Sequence, residues 1–122
     1  MKTISVFVCE SQPIVVEGLK RVLEDCPDLS LAGATSNPEE TAELVASLRP
    51  DVALIDQAWG SRTALELVGR IRGASESTQA VLWVTNLTEG ESFRALQTGA
   101  RGILKKTLPV TSVIECLRAV GQ

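Results

Sequence analysis

The sequence contains no histidine and no tyrosine among its 122 residues, and only 3% of the residues are aromatic. Its three cysteines, Cys9, Cys26 and Cys116, lie far apart, without a Cys-x-x-Cys spacing. These absences exclude zinc sites of the common types and argue against Ser-His or Cys-His catalysis. We therefore expect the three thiols to be buried and chemically inert.

The chain also lacks an excess of basic charge and any long apolar run. Its formal net charge is −3, so it carries no basic footprint for binding nucleic acid by itself. The longest apolar runs are far shorter than a membrane span, and only a short apolar stretch separates Lys2 from Glu10, which is not typical of a secretory signal. We expect a single cytoplasmic domain, residues 1–122, that makes no membrane contact.

Five strand-like segments alternate with five helix-like segments along the chain. β-Branched and other apolar residues predict strands at residues 4–9, 29–34, 52–55, 80–84 and 101–105. Apolar residues at helical spacing predict a helix after each strand. This alternation predicts an α/β protein of flavodoxin-like (βα)5 type, with a doubly wound parallel sheet in the strand order 2-1-3-4-5.

Prolines, glycines and small polar residues predict where several helices begin and end. Pro13 suits the first position of a helix, and Asn37 suits an N-cap with Glu40 placed to reach back to it. Ser61 suits the cap of the third helix, and Gly99 the end of the fourth.

The segment from Arg49 to Gly60 is the centre of the predicted sheet. Four consecutive apolar residues, 52–55, follow Pro50 and stop at Asp56, which is typical of a strand buried on both faces. Because ligands bind at the carboxyl ends of the strands in an open parallel sheet, Asp56 lies where a functional site is expected. An ordinary aspartate in a strand-to-helix turn is the alternative.

Polar residues also follow three other strands of the predicted sheet. Glu10 and Ser11 follow the first strand, Thr85 follows the fourth, and Lys106 follows the fifth. Each of them alone also fits a helix cap, a turn or a solvated charge. In the predicted strand order, however, all four converge with Asp56 on one crevice, and this convergence predicts a site.

Several segments of the chain resemble the receiver domains of two-component response regulators, and more closely their NarL/FixJ (LuxR-type) transcriptional subset. These segments are Pro13–Leu19, Arg49–Asp56, Thr85, and the run Gly99-Ala-Arg-Gly-Ile-Leu-Lys-Lys106. Apart from Ile103, this run matches the pattern Gly-Ala-x-Gly-Tyr-Leu-x-Lys that is common in that subset. The resemblance covers essentially the whole chain. It implies that Asp56 accepts a phosphoryl group, that Thr85 is the switch hydroxyl, and that Lys106 is the invariant lysine.

The same resemblance implies a cofactor and partners. Mg²⁺ would be held by Glu10, Asp56 and the backbone of Ala58, with Ser11 at the second position of the acidic pair. The phosphoryl donor would be a sensor histidine kinase, and any homodimer would use helical faces, most simply those of the first and fifth helices. DNA would be contacted only through a helix-turn-helix output domain, which the 122 residues do not contain.

The sequence departs from the family pattern at three places near this site. Ser11 replaces a carboxylate, Ile103 stands where an aromatic residue is typical, and Trp59-Gly60-Ser61 replaces the usual Met-Pro-Gly. Glu10, Asp56 and Lys106 together carry −1 − 1 + 1 = −1, whereas a second carboxylate would make the total −2. We therefore expect Mg²⁺ to bind weakly.

Three functions fit these observations. The first is a phosphoaccepting receiver that controls transcription, and the second is a degenerate receiver that binds proteins without phosphorylation. The third is an enzyme or cofactor binder on the same fold. An aspartate-nucleophile phosphatase would need a second Asp at Ala58, and no G-x-G-x-x-G motif or flavodoxin phosphate loop is present. The first function is our prediction, and an enzyme is not expected.

Overall fold

A computed structural model of the chain describes residues 3–122, which form a five-stranded parallel sheet covered by helices on both faces. The strands are β1 (Ile4–Cys9), β2 (Leu29–Thr35), β3 (Val52–Asp56), β4 (Gln79–Val84) and β5 (Ala100–Lys105). The helices are α1 (Pro13–Glu24), α2 (Pro38–Leu48), α3 (Ser61–Ala74), α4 (Glu89–Thr98) and α5 (Val110–Gly121), and a 3₁₀ turn, Gln57–Trp59, follows β3. The strand order is β2-β1-β3-β4-β5, so the predicted topology is confirmed.

Three of the predicted helix ends are confirmed. Pro13 is the first residue of α1, where its missing N–H group costs no helical hydrogen bond. The Asn37 side chain caps α2 by accepting a hydrogen bond from the backbone N–H of Glu39 at 2.9 Å. Gly99 ends α4 with φ at 120°, a left-handed conformation that residues with a Cβ rarely adopt.

Two predicted caps are wrong. Glu40 does not reach back to the start of α2, because its carboxylate accepts a hydrogen bond from the Thr35 hydroxyl at 3.0 Å instead. Ser61 does not cap α3, because it is the first residue of that helix and Gly60 occupies the cap position. The first error arises from a competing side-chain contact, and the second arises because α3 begins one residue earlier than the cap prediction required.

The two faces of the sheet bury separate apolar clusters. Alternate strand residues point to opposite faces, so Val6 and Val8 of β1 pack beneath α1 and α5 while Phe7 packs beneath the other helices. All five residues of β3 are buried, as expected for the central strand of a sheet that is covered on both sides. This packing fixes the end of β3, and therefore Asp56, relative to its neighbouring strands.

The three cysteines lie within or against the two apolar clusters. Cys9 and Cys26 are buried and Cys116 is partly buried. Burial raises the pKa of Cys9 to about 11, so this thiol stays protonated at neutral pH and is a poor nucleophile. Within residues 3–122, no helix has the length and apolar character needed to cross a membrane.

Candidate functional site

The carboxyl ends of the strands bring the expected polar residues to one edge of the sheet. An open cleft of about 350 Å³ lies there, and its lining includes Ser11, Asp56, Ala58, Thr85 and Lys106. Glu10 lies directly after β1 and is almost fully buried, with 1% of its surface exposed. The order of the parallel strands, rather than proximity in the sequence, therefore assembles the site.

Asp56 is buried, and hydrogen-bond donors surround both of its carboxylate oxygens. Its Oδ1 atom lies 2.8 Å from Nζ of Lys106 and accepts a hydrogen bond from the backbone N–H of Ala58 at 3.1 Å. Its Oδ2 atom accepts from the hydroxyl of Ser11 at 2.8 Å and from the backbone N–H of the same residue at 3.1 Å. These four donors hold Asp56 in one orientation.

Lys106 joins the two acidic residues of the site. Its ammonium group donates to Oε2 of Glu10 at 2.9 Å and to Oε1 at 3.2 Å, in addition to its contact with Asp56. The same ammonium lies 5.2 Å from the centre of the Trp83 ring, within the range of a cation–π interaction. A single cation therefore neutralises part of the charge of two buried carboxylates.

The pKa values of the three ionisable groups follow from burial and from these contacts. Burial is the largest influence on Asp56 and would raise its pKa, but contacts that include hydrogen bonds from Lys106 and Ser11 outweigh it, and the pKa is lowered to about 2. Burial raises the pKa of Glu10, and Lys106 only partly offsets this effect. Burial would lower the pKa of Lys106, but its two carboxylate partners raise it overall. Asp56 is therefore ionised and Lys106 is charged at neutral pH.

Thr85 lies at the rim of the cleft and is exposed. Its backbone N–H donates to the side-chain oxygen of Gln57 at 3.2 Å, and no hydrogen bond between Thr85 and Asp56 is described. The strand ends thus bring Thr85 and Asp56 to the lining of the same cleft.

The donor set of the site contains ligand types that Mg²⁺ takes in proteins. Glu10 and Asp56 supply two carboxylates, which is the number that protein Mg²⁺ sites commonly use together with several waters. Ser11 supplies a hydroxyl in place of a third carboxylate, and the described residues contain no cluster of three or more His, Cys, Asp or Glu side chains suited to a metal. Lys106 already contacts both carboxylates, so a divalent ion would share them with an ammonium group.

Two residues of the site were missed by sequence reasoning. Gln57 hydrogen-bonds to the loop after β4, and Trp83 lies beneath the ammonium of Lys106. The signal for Gln57 was present, because a polar residue directly after Asp56 lies at the same edge of the sheet. Trp83 gave no such signal, because its sequence neighbours are the apolar residues of a buried strand.

Comparisons with known proteins point to one family. The model of the response regulator receiver domain family matches residues 6–118. The chain is 28% identical over 113 residues to the nitrate/nitrite response regulator protein NarL of Escherichia coli, covering 93% of this chain and 52% of that protein. It is 30% identical over 120 residues to the transcriptional regulatory protein YxjL of Bacillus subtilis, covering 98% of this chain and 55% of that protein. The chain thus spans about half the length of these relatives.

The fold is also found among solved structures. The signal receiver domain of the response regulator NarL from Mycobacterium tuberculosis superposes with a TM-score of 0.84 at 24% sequence identity, covering 97% of this chain and 98% of that one. At this identity, the likeness concerns the fold alone.

Proposed function

We propose, since the chain belongs to the response regulator receiver domain family, that Asp56 accepts a phosphoryl group from a sensor histidine kinase and that this transfer switches a transcriptional output. The observation that supports the proposal most directly is the position of Asp56. It is a buried, ionised carboxylate at the end of the central strand, it opens onto the cleft, and it lies 2.8 Å from a lysine ammonium.

The proposed chemistry is a phosphoryl transfer between two side chains. An oxygen of Asp56 attacks the phosphorus of a phosphohistidine, a P–O bond forms as the P–N bond breaks, and the imidazole leaves with the electron pair and takes up a proton. The low pKa of Asp56 keeps the attacking oxygen deprotonated. Lys106 stabilises negative charge on the transferred group, because its ammonium lies beside the attacking carboxylate.

Mg²⁺ is part of this proposal as a weakly bound cofactor. Glu10, Asp56 and the backbone carbonyl of Ala58 would hold it, and a bound ion supplies positive charge to the phosphoryl oxygens. The Ser11 hydroxyl and the amide groups of Ser11 and Ala58 orient the acceptor whether or not an ion is present, because they bond directly to Asp56.

The output and the partners are proposed from the relatives. Those described above are named as a response regulator and a transcriptional regulatory protein, so we assign the chain a cytoplasmic signalling role rather than an enzymatic one. Thr85 at the rim of the cleft is the proposed switch hydroxyl, which would bond to the phosphoryl group and shift the adjoining α4 surface. DNA would be contacted through an output domain and not through these residues.

One labelling experiment tests the acceptor. The protein is incubated with acetyl phosphate or phosphoramidate and Mg²⁺, and its intact mass is measured. Wild type and Asp25→Asn, an exposed control, should each gain one phosphoryl group, and Asp56→Asn should gain none. If wild type stays unmodified but Ser11→Asp is labelled, the acceptor is competent and metal binding limits it. If neither protein is labelled, a phosphorylation-independent interaction module becomes the better function.

A further inference from the structure

The side chain of Gln57 connects the acceptor strand to the loop that carries Thr85. Its Nε2 donates to the backbone carbonyl oxygen of Asn86 at 2.7 Å and to the Ser61 hydroxyl at 3.4 Å. Its Oε1 accepts from the backbone N–H of Thr85 at 3.2 Å and of Asn86 at 3.4 Å. One amide thus binds two N–H groups and a carbonyl of the same short loop.

The sheet explains why Gln57 reaches this loop. Asp56 on β3 is paired in register with Trp83 on β4, so the residue after Asp56 lies beside the end of β4. The end of β4 is itself fixed, because its carbonyl at Val84 accepts a hydrogen bond from the backbone N–H of Lys106 at 2.8 Å. The loop that carries Thr85 therefore begins at a fixed residue, Val84, that lies opposite Gln57.

The chemistry of the amide is also specific. A glutamine side chain offers a donor and an acceptor at once, so it pairs with a backbone N–H and a backbone carbonyl together. A leucine of similar size offers neither, and a glutamate carboxylate offers only acceptors. Thr85 and Asn86 are exposed, and Gln57 accepts the hydrogen bonds described for both of their N–H groups.

We propose that Gln57 is a positioning residue that fixes the resting position of Thr85 and couples that position to the state of Asp56. Gln57 follows Asp56 directly in the chain, and the turn that it begins is held by the bond from the Ala58 N–H to Asp56. A change in the bonding of the Asp56 carboxylate therefore displaces the backbone of Gln57, and its amide carries the displacement to the loop. The coupling rests on the proposed phosphoryl transfer, whereas the positioning does not.

Amide hydrogen exchange on the unphosphorylated protein tests the positioning. In Gln57→Leu, the protection factors of Thr85 and Asn86 should fall about tenfold, because several hydrogen bonds of the loop are lost together. Gln97→Leu, which changes an exposed glutamine on α4, is the matched control and should leave both factors unchanged. Wild-type protection of both amides in Gln57→Leu would overturn the proposal.

Gln57→Glu, measured at neutral pH, separates positioning from a general loss of stability. Its carboxylate still accepts from the N–H groups of Thr85 and Asn86, but it has no donor for the Asn86 carbonyl oxygen and repels it. The protection factors of Thr85 and Asn86 should therefore fall below the wild-type values, while those of the buried strand β3 stay unchanged. Wild-type protection of both loop amides in Gln57→Glu would contradict a role for the amide donor.

The coupling is tested after treatment with acetyl phosphate and Mg²⁺. Intact mass first establishes whether each protein carries the phosphoryl group, and amide chemical shifts then report the displacement of Thr85 and α4. In phosphorylated Gln57→Leu the displacement should be less than half that of wild type. An equal displacement would overturn the coupling. If neither wild type nor Ser11→Asp gains mass, the proposed function and the coupling fail together, while the exchange measurements still decide the positioning.

Discussion

Replacing Lys106 by methionine removes the cation that lies between two buried carboxylates. Glu10 and Asp56 are 1% and 2% exposed, and the Lys106 ammonium contacts them at 2.9 Å and 2.8 Å. Methionine keeps an unbranched side chain in the same space but carries no charge. The substitution therefore changes the electrostatics of the site with little change in packing.

The expected loss of stability depends on pH. Removing one partner of a buried ion pair costs about 3–5 kcal/mol, and we expect the lower end because Ser11 and Ala58 still donate to Asp56. In wild type the Asp56 pKa is lowered from 3.8 to about 2, so Asp56 adds about 2 kcal/mol of stability above pH 3.8, which is lost as the pH falls through 2. Without Lys106, burial and mutual repulsion raise the pKa of both carboxyl groups. The loss should then be largest at pH 8 and smaller at pH 5, where the pair takes up a proton.

Urea denaturation followed by circular dichroism at pH 5 and pH 8 measures this dependence. Lys105→Met is the matched control, because Lys105 is the neighbouring lysine at the end of β5 and is exposed. It should change the free energy of unfolding by less than about 0.5 kcal/mol at either pH. The reasoning is refuted if Lys106→Met loses the same stability at both pH values, or no more than the control.

Three further predictions concern the metal, the backbone and self-association. Ser11→Asp should tighten Mg²⁺ binding by roughly 1–3 kcal/mol, seen by calorimetry, and equal affinities would show that Ser11 does not weaken the site. Gly99→Ala, at φ 120°, should lower the free energy of unfolding measured in urea by about 1–3 kcal/mol. Gly18→Ala lies inside α1 with no atom within 4 Å of the added Cβ, so it should raise the free energy of unfolding by about 0.5–1 kcal/mol. Any homodimer should use α1 and α5, where Ile14 is 79% exposed and Val110 is 52% exposed. Ile14→Glu and Val110→Glu should therefore lower the sedimentation coefficient of a dimeric sample. An unchanged sedimentation profile would exclude this face.

The order of the strands could be predicted from the sequence, but the hydrogen bonds at the helix N-termini could not always be predicted correctly. The spacing of Asn37 and Glu40 is the same as that of Thr88 and Glu91, and only the second pair forms a reciprocal capping box, with bonds of 3.1 Å and 3.0 Å. Glu40 bonds to Thr35 instead. The spacing of residues along the chain shows which hydrogen bonds are possible at a helix start. Contacts with a neighbouring strand determine which of these hydrogen bonds forms.

The location of the site could be predicted more fully than its contacts. The carboxyl ends of parallel strands meet at one edge, so the sequence sufficed to bring Asp56, Thr85 and Lys106 to a common cleft. The bonds of Gln57 depend on the path of a loop 29 residues farther along the chain, and the place of Lys106 above Trp83 depends on the pairing of β4 with β5. No local sequence pattern predicts the hydrogen bonds of Gln57 or the contact between Lys106 and Trp83.

Ser11 affects the acceptor and the metal in opposite directions. An aspartate at this position would add a negative charge and would have no hydroxyl to donate, whereas Ser11 donates both O–H and N–H to Oδ2 of Asp56. These two bonds help to hold the pKa of Asp56 at about 2, and they orient the carboxylate without a metal ion. Under the proposed function, the missing carboxylate would weaken the attraction for Mg²⁺, and electrostatic stabilisation of the phosphoryl group is usually the largest catalytic contribution. We therefore expect Asp56 to be a well-oriented acceptor whose phosphorylation is slow, and Ser11→Asp to raise the labelling rate at saturating Mg²⁺ despite the loss of its hydroxyl. A slower rate in that variant, measured by intact mass against time, would show that orientation by Ser11 outweighs the charge.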